Sequence, residues 1–150
     1  VSDNYLKVIP ADPNYVASSS ALARVKFLLE HFCPKAQLIT IKVPNRVMFF
    51  DAGVNLEAVY CPFCGSVQTD WFYRVTSDLD KGNNLNDMNV AMPCCAMATS
   101  LNDLRFMSPA GFARCGVEVL DPDRSWLAEE ELIPLAEAMG CNVRQIFAHY

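Results

Sequence analysis

Phe112-Ala113-Arg114-Cys115-Gly116-Val117-Glu118-Val119-Leu120, entering Asp121-Pro122, is the stretch on which the fold turns. It reads as an apolar strand, and a helix and a closing strand, Val143-Arg144-Gln145-Ile146-Phe147-Ala148-His149-Tyr150, follow it. The same order opens the chain. Tyr5-Leu6-Lys7-Val8-Ile9 runs into Pro10-Ala11-Asp12-Pro13, a helix follows, and Gln37-Leu38-Ile39-Thr40-Ile41-Lys42-Val43 alternates like a half-buried strand. In the first helix Ser18, Ser19 and Ser20 are candidate N-caps, Leu22, Val25, Leu29 and Phe32 recur at helical spacing, and Pro34 ends the run. In the second, Ala128 sits at the cap with Glu129, Glu130 and Glu131 in the first turn, where carboxylates meet the positive end of the helix dipole. Leu127 and Leu132 form a hydrophobic staple and Gly140 supplies the stop. Pro134 implies either a kink or a later start.

Two strand-helix-strand units predict an α+β fold, a ferredoxin-like split βαβ sandwich with both helices on one face of the sheet. On this reading residues 1–150 form a single domain, with one half over about 4–44, the second over about 112–150, and a metal-bearing insertion over about 53–111 between them. Within the middle, Pro44-Asn45-Arg46 turns into Val47-Met48-Phe49-Phe50-Asp51, and Leu56-Glu57-Ala58-Val59-Tyr60 delivers Cys61. Thr69 or Asp70 caps a short helix carrying Trp71, Val75 and Leu79, and Met88-Asn89-Val90-Ala91-Met92 leads back to Cys94.

The insertion holds the chemistry. Cys61-Pro62-Phe63-Cys64-Gly65 and Pro93-Cys94-Cys95 together offer four thiolates for one tetrahedral Zn²⁺, in the manner of a zinc ribbon. Pro62 stiffens the first turn and Gly65 allows a left-handed residue after the second sulfur. Four sulfurs make a closed, structural site, whereas catalytic zinc keeps a position for water. The weak point is Cys95, since adjacent side chains on an extended segment point opposite ways and joint ligation needs a bent backbone. Were one of the pair to turn away, His149 or a water would complete an open, catalytic site. A redox CxxC fits less well, because Gly65-Ser66-Val67-Gln68 is a poor helical start. Cys33, Cys115 and Cys141 read as small core residues, and His31 and Glu129 to Glu131 as surface groups.

Composition narrows the classes. The chain of 150 residues is 52% apolar without a run long enough to span a membrane, and Val1-Ser2-Asp3-Asn4 shows no signal-peptide pattern. Seven cysteines with CxxC spacing fit metal binding in a reducing compartment, so the expected location is the cytoplasm. A formal charge of -5, with Arg74, Lys81, Arg105 and Arg114 mixed among Asp70, Asp78, Asp80 and Asp103, argues against nucleic acid. The glycines lack the spacing of a nucleotide cradle. The return segment Thr99-Ser100-Leu101-Asn102-Asp103-Leu104-Arg105-Phe106 is rich in polar and aromatic groups. Asn102, Asp103, Arg105 and Arg114 are read as a polar network fixing the insertion to the sheet, with a recognition surface as the alternative.

The CPxCG, PCC, SLNDL and GFAR pieces and the AHY ending resemble a family of small bacterial proteins of uncharacterised function. The resemblance spans nearly the whole chain and implies a bacterial, cytoplasmic, zinc-containing domain, with no activity to carry over. The expected function is therefore a non-enzymatic, zinc-stabilised interaction domain with a protein partner, Trp71, Phe72, Tyr73 and Phe106 being its candidate aromatic anchors. The alternative is an enzyme using an open zinc or a reactive thiol near Cys95 and His149, and nucleic-acid binding ranks last.

Overall fold

In chain order the elements are β1 (Asn4–Pro10), α1 (Ser19–Phe32), β2 (Leu38–Lys42), β3 (Met48–Phe50), β4 (Val59–Tyr60), α2 (Thr69–Lys81) and β5 (Asn89–Ala91). There follow β6 (Ala98–Ser100), a 3-10 turn (Leu101–Asp103), β7 (Arg105–Phe106), β8 (Gly111–Ala113), β9 (Gly116–Leu120), α3 (Glu129–Met139) and β10 (Val143–His149). The computed structural model describes residues 3–150. Val1 and Ser2, part of the stretch read above for a signal peptide, lie outside the described residues.

The two strand-helix-strand units interleave. Their strands form one sheet in the order β10-β1-β9-β2, every neighbouring pair antiparallel. Alternation along β1 sends Leu6 and Val8 to one face, where they pack with Leu22, Val25 and Leu29 of α1, Leu135 and Met139 of α3, and Val117 and Val119 of β9. Both helices therefore cover the same face. Burying each of these side chains stabilises the fold by about 1.5–3 kcal/mol, and this cluster, not helix propensity, holds α1 and α3 in place. Ser18 caps α1 by accepting from the Ala21 N–H at 3.1 Å. Ala128 has no such oxygen, but the Glu131 carboxylate accepts from the Ala128 N–H at 2.8 Å and supplies half of a capping box. The same carboxylate receives both Arg124 Nη atoms at 2.6 and 2.7 Å, and Arg124 Nη1 also donates to the Phe32 carbonyl at 3.0 Å, so the end of α1 is tied to the start of α3. Helix α3 begins at Glu129 with Pro134 inside it, which removes the later start. Gly140 ends it at φ 92°.

The opposite face of the sheet is covered by the middle of the chain. Ile9 and Ile146 point from β1 and β10 into a second core with Phe50, Val59, Phe72, Met92, Leu101 and Phe112. Phe72 is its centre, with Phe49, Phe106 and Phe112 ring centroids at 5.3, 5.4 and 6.1 Å. Gly53 seals the junction: at φ 59° it lies so close to His149 that an added Cβ would meet the His149 carbonyl oxygen at 2.1 Å.

Three expectations are corrected. The stretch from Phe112 to Leu120 is two strands, broken at Arg114 and Cys115, with β8 pairing to β3 and β9 to β1 and β2. The break lets Phe112 enter the second core while Val117 and Val119 enter the first. The inserted sheets consequently begin at β3 and end with β8, wider than 53–111. Finally, Gln68 occupies the cap of α2 without a side-chain bond, and the Thr69 hydroxyl instead accepts from the Val59 N–H at 3.0 Å, fastening the helix to β4.

Candidate metal centre

The two cysteine pairs sit on two turns of the same geometry. In the first, the Cys61 N–H donates to the Ser66 carbonyl at 2.9 Å and the Gly65 N–H to the Cys61 carbonyl at 3.0 Å. In the second, the tip of the β5-β6 hairpin, the Met92 N–H donates to the Met97 carbonyl at 2.9 Å and the Ala96 N–H to the Met92 carbonyl at 2.8 Å. Gly65 at φ 75° and Ala96 at φ 62° occupy the same left-handed position. Cys95 thus corresponds to Cys64, Cys94 to Phe63, and the buried Met92 to Cys61. A Met-Pro-Cys-Cys-Ala turn hides this equivalence from a search for paired CxxC motifs.

The bent tip answers the geometric objection to Cys95, since both neighbouring thiols reach the same point. The sulfurs of Cys61, Cys64, Cys94 and Cys95 all lie within 4.8 Å of one another. Cys61 Sγ and Cys95 Sγ are 3.7 Å apart, and Cys64 Sγ and Cys94 Sγ 3.3 Å. Four sulfurs about 2.3 Å from a tetrahedral ion stand about 3.8 Å from each other, so this cluster is able to hold one ion after small side-chain shifts. Cys61 is buried at the core edge, Cys95 is intermediate, and Cys64 and Cys94 face solvent.

The thiols are unequal. The Ser66 hydroxyl, at 3.2 Å, and then the Ser66 backbone and Cys94 lower Cys64 to about 6. Cys94 is raised to about 11: the Ser66 hydroxyl pulls it down, but burial and the crowding of Cys64, Cys61 and Cys95 outweigh it. At Cys61 burial opposes ionisation, yet the Cys64 and Phe63 backbone N–H groups bring its value down overall. Cys64 is thus the thiol most readily ionised, and a divalent metal bound here would displace the remaining protons. The other cysteines take no part. Cys33 and Cys115 are buried and Cys141 half-buried, and desolvation raises all three.

His149 stands apart from the sulfurs, its Nδ1 2.8 Å from Asn4 Oδ1. Of the residues read as a polar network, only Asn102 is its centre. It is buried, donates from Nδ2 to the Ala11 carbonyl at 3.1 Å, and accepts at Oδ1 from the Phe112 N–H at 2.9 Å and Arg144 Nη1 at 3.2 Å. Arg144, which the sequence reading missed, also donates to the Ala110 carbonyl at 2.7 Å, and burial lowers its pKa. Nothing in Val143-Arg144-Gln145 distinguishes that arginine from a solvated one. Asp103 and Arg105 are exposed, Arg105 lying over the Tyr60 ring at 5.0 Å, and Arg114 Nη2 donates to the Asn45 carbonyl at 3.3 Å. Trp71 packs half-buried against the second core, Phe72 is fully buried, Phe106 is half-buried, and Tyr73 alone of those four aromatics is exposed.

Fold and site together define a mixed α/β chain with, among the described residues, three α-helices, several small antiparallel sheets and a four-cysteine cluster able to hold a metal ion. Among the described residues no helix is long and apolar enough to cross a membrane. No family model, curated protein or solved structure matches the chain.

Proposed function

We propose that Cys61, Cys64, Cys94 and Cys95 hold one structural Zn²⁺, and that the chain is a non-enzymatic interaction domain presenting the surface around that ion to a protein partner. The observation that carries this reading is the convergence of four sulfurs, which leaves no ligand position for water. All-sulfur tetrahedral sites suit zinc or iron, and a structural zinc explains how ladders as short as β4-β7 and β5-β6 persist. Phe63, Val67 and Met97, each at least half exposed and within three residues of Cys64 or Cys94 in the chain, supply the apolar part of the surface. The interleaved order β10-β1-β9-β2 supports a ferredoxin-like sandwich carrying a zinc ribbon-like insertion. Reduced cysteines fit a cytoplasmic location, and the motif resemblance fits a bacterial source.

Elemental analysis with X-ray absorption at the metal edge tests the site: one zinc per chain with four sulfur neighbours is expected. A nitrogen or oxygen neighbour would move the reading to the enzyme built on Cys95 and His149. For the surface, cross-linking in bacterial lysate is compared between the wild-type protein and a Phe63→Ser, Met97→Ser variant. A partner lost in the variant at unchanged zinc content and melting temperature supports the reading; identical capture removes this surface from it.

A further inference from the structure

A second site lies on the sheet face opposite α1 and α3, in a cleft of about 720 Å³ beside the second core. Its floor holds a lysine where a strand would ordinarily place an apolar residue. Lys7, between Leu6 and Val8 in β1, is only 4% exposed. Its ammonium donates to the Asp51 carbonyl at 2.9 Å and to the Tyr150 hydroxyl at 2.7 Å, and stands 3.6 Å from the Asp51 carboxylate and 3.8 Å from Glu118. The Tyr150 hydroxyl passes its own hydrogen bond to Asp51 Oδ1 at 2.9 Å. Burial and that carboxylate raise the tyrosine's pKa, so it remains a protonated donor. Lys7, Asp51 and Tyr150 thus satisfy one another, and they are accounted for as a clamp fastening the insertion to the sheet.

Glu118 and Lys42 are not. Glu118 lies across from Lys7 in the β1-β9 register, and its side chain is 17% exposed. Among the described residues no group hydrogen-bonds to its carboxylate: Lys7 and Lys42 stand at 3.8 and 3.9 Å, beyond donor reach. Glu118 lines the cleft, so its carboxylate is free to accept from a donor that enters there. Lys42, at the end of β2, is half exposed and among the described residues holds only this long ion pair. Beside them Val43 and Met48 expose apolar side chains to the same cleft.

The charges alternate along the cleft as Lys42, Glu118, Lys7 and Asp51, and Asp3 adds a third carboxylate to its lining. A simple anion would meet three carboxylates there and a simple cation two ammonium groups. A ligand carrying both signs inserts without adding net charge, which is the complementarity that favours binding in a partly desolvated site.

We propose that this cleft binds a small amphipathic zwitterion, an apolar α-amino acid or dipeptide, whose ammonium group bonds Glu118, whose carboxylate bonds Lys42, and whose side chain lies against Val43 and Met48. Glu118 is the acceptor that selects the amine, and Lys42 is the donor that selects the acid. Lys7 holds Glu118 in place from below and makes no contact with the ligand. The site is independent of the cysteines and does not rest on the reading of the metal.

Isothermal titration calorimetry on the metal-loaded protein tests this with leucine, phenylalanine and leucyl-leucine as probes, and N-acetyl-leucine and leucinamide as forms lacking one charge. Saturable binding of at least one zwitterion is expected, with each single-charge form at least tenfold weaker; the preferred probe tells the free amino acid from the dipeptide. Glu118→Gln and Lys42→Met are each expected to weaken binding tenfold or more at unchanged metal content. Lys42 is exposed enough that its replacement leaves the fold intact even if Glu118→Gln does not. The proposal is overturned if no zwitterion binds the wild-type protein at millimolar concentration, if N-acetyl-leucine binds as well as leucine, or if Lys42→Met leaves affinity unchanged.

Discussion

If the four cysteines hold zinc as proposed, stripping it, or replacing Cys64 with serine, removes a cross-link between segments far apart in the chain. Cys61 and Cys95 are separated by 34 residues. Closing a loop of that length costs the unfolded chain roughly 13 cal/mol/K of entropy, so the bound ion contributes about 4 kcal/mol at room temperature by this route alone. For a chain of this size that corresponds to a fall in melting temperature of about 8–16 °C. The loss should be local. The core of α1, α3 and the four-stranded sheet contains none of the four ligands, whereas β4, β5, β6 and β7 have ladders of two or three residues that cannot stand alone. The assay is thermal unfolding with and without a chelator, followed by zinc re-addition, with amide hydrogen exchange on both forms. Expected are a reversible drop of this size and protection lost around residues 59–106 but kept in β1, β9 and β10. Metal-free protein melting within about 1 kcal/mol of the loaded form would refute the clasp.

Ala96 holds a left-handed conformation that Gly65 adopts at the equivalent place, so Ala96→Gly should stabilise the loaded protein by about 0.5–1 kcal/mol in chemical denaturation, after the greater freedom of glycine in the unfolded chain is deducted. Asn102→Ala leaves the Phe112 N–H and Arg144 facing an empty acceptor site, and a loss of about 3 kcal/mol is expected in urea; Asn102→Asp keeps that acceptor and should lose less. Arg124 is the main reason the Glu131 carboxyl titrates below its usual range. Its contribution is present above the unfolded carboxyl value and disappears as pH falls through the lower folded one, so Glu131→Gln should cost about 2 kcal/mol at pH 7 and flatten the acid limb of the stability profile.

The cysteine cluster was legible because ligand spacing is local: Cys61 and Cys64 lie on one turn, and Pro93-Cys94-Cys95 on another. The equivalence of Met92 with Cys61 was not, since it exists only in backbone hydrogen bonds. Both strand-helix-strand halves were readable from their apolar periods and helix stops. The break at Arg114 and Cys115 was hidden because Phe112 to Leu120 is apolar enough to be one strand, and only the competition of two cores for its side chains divides it. Lys7 drew no reading of its own within an apolar strand, and its burial depends on Asp51, Glu118 and Tyr150, which approach it from three other places in the chain. Asn102 was singled out, but its partner Arg144 comes from the far end of the sequence.

β1 is a wall shared by two rooms. Leu6 and Val8 furnish the helical core, and Tyr5, Lys7 and Ile9 the floor of the cleft and the insertion core. A slip of one residue would carry Lys7 among Leu22, Val25 and Leu135 and strand Leu6 and Val8 in the cleft, damaging both sides together. The pairing of this strand is thus specified twice over, and a single event in folding, its correct seating between β9 and β10, commits the chain to both halves of its structure.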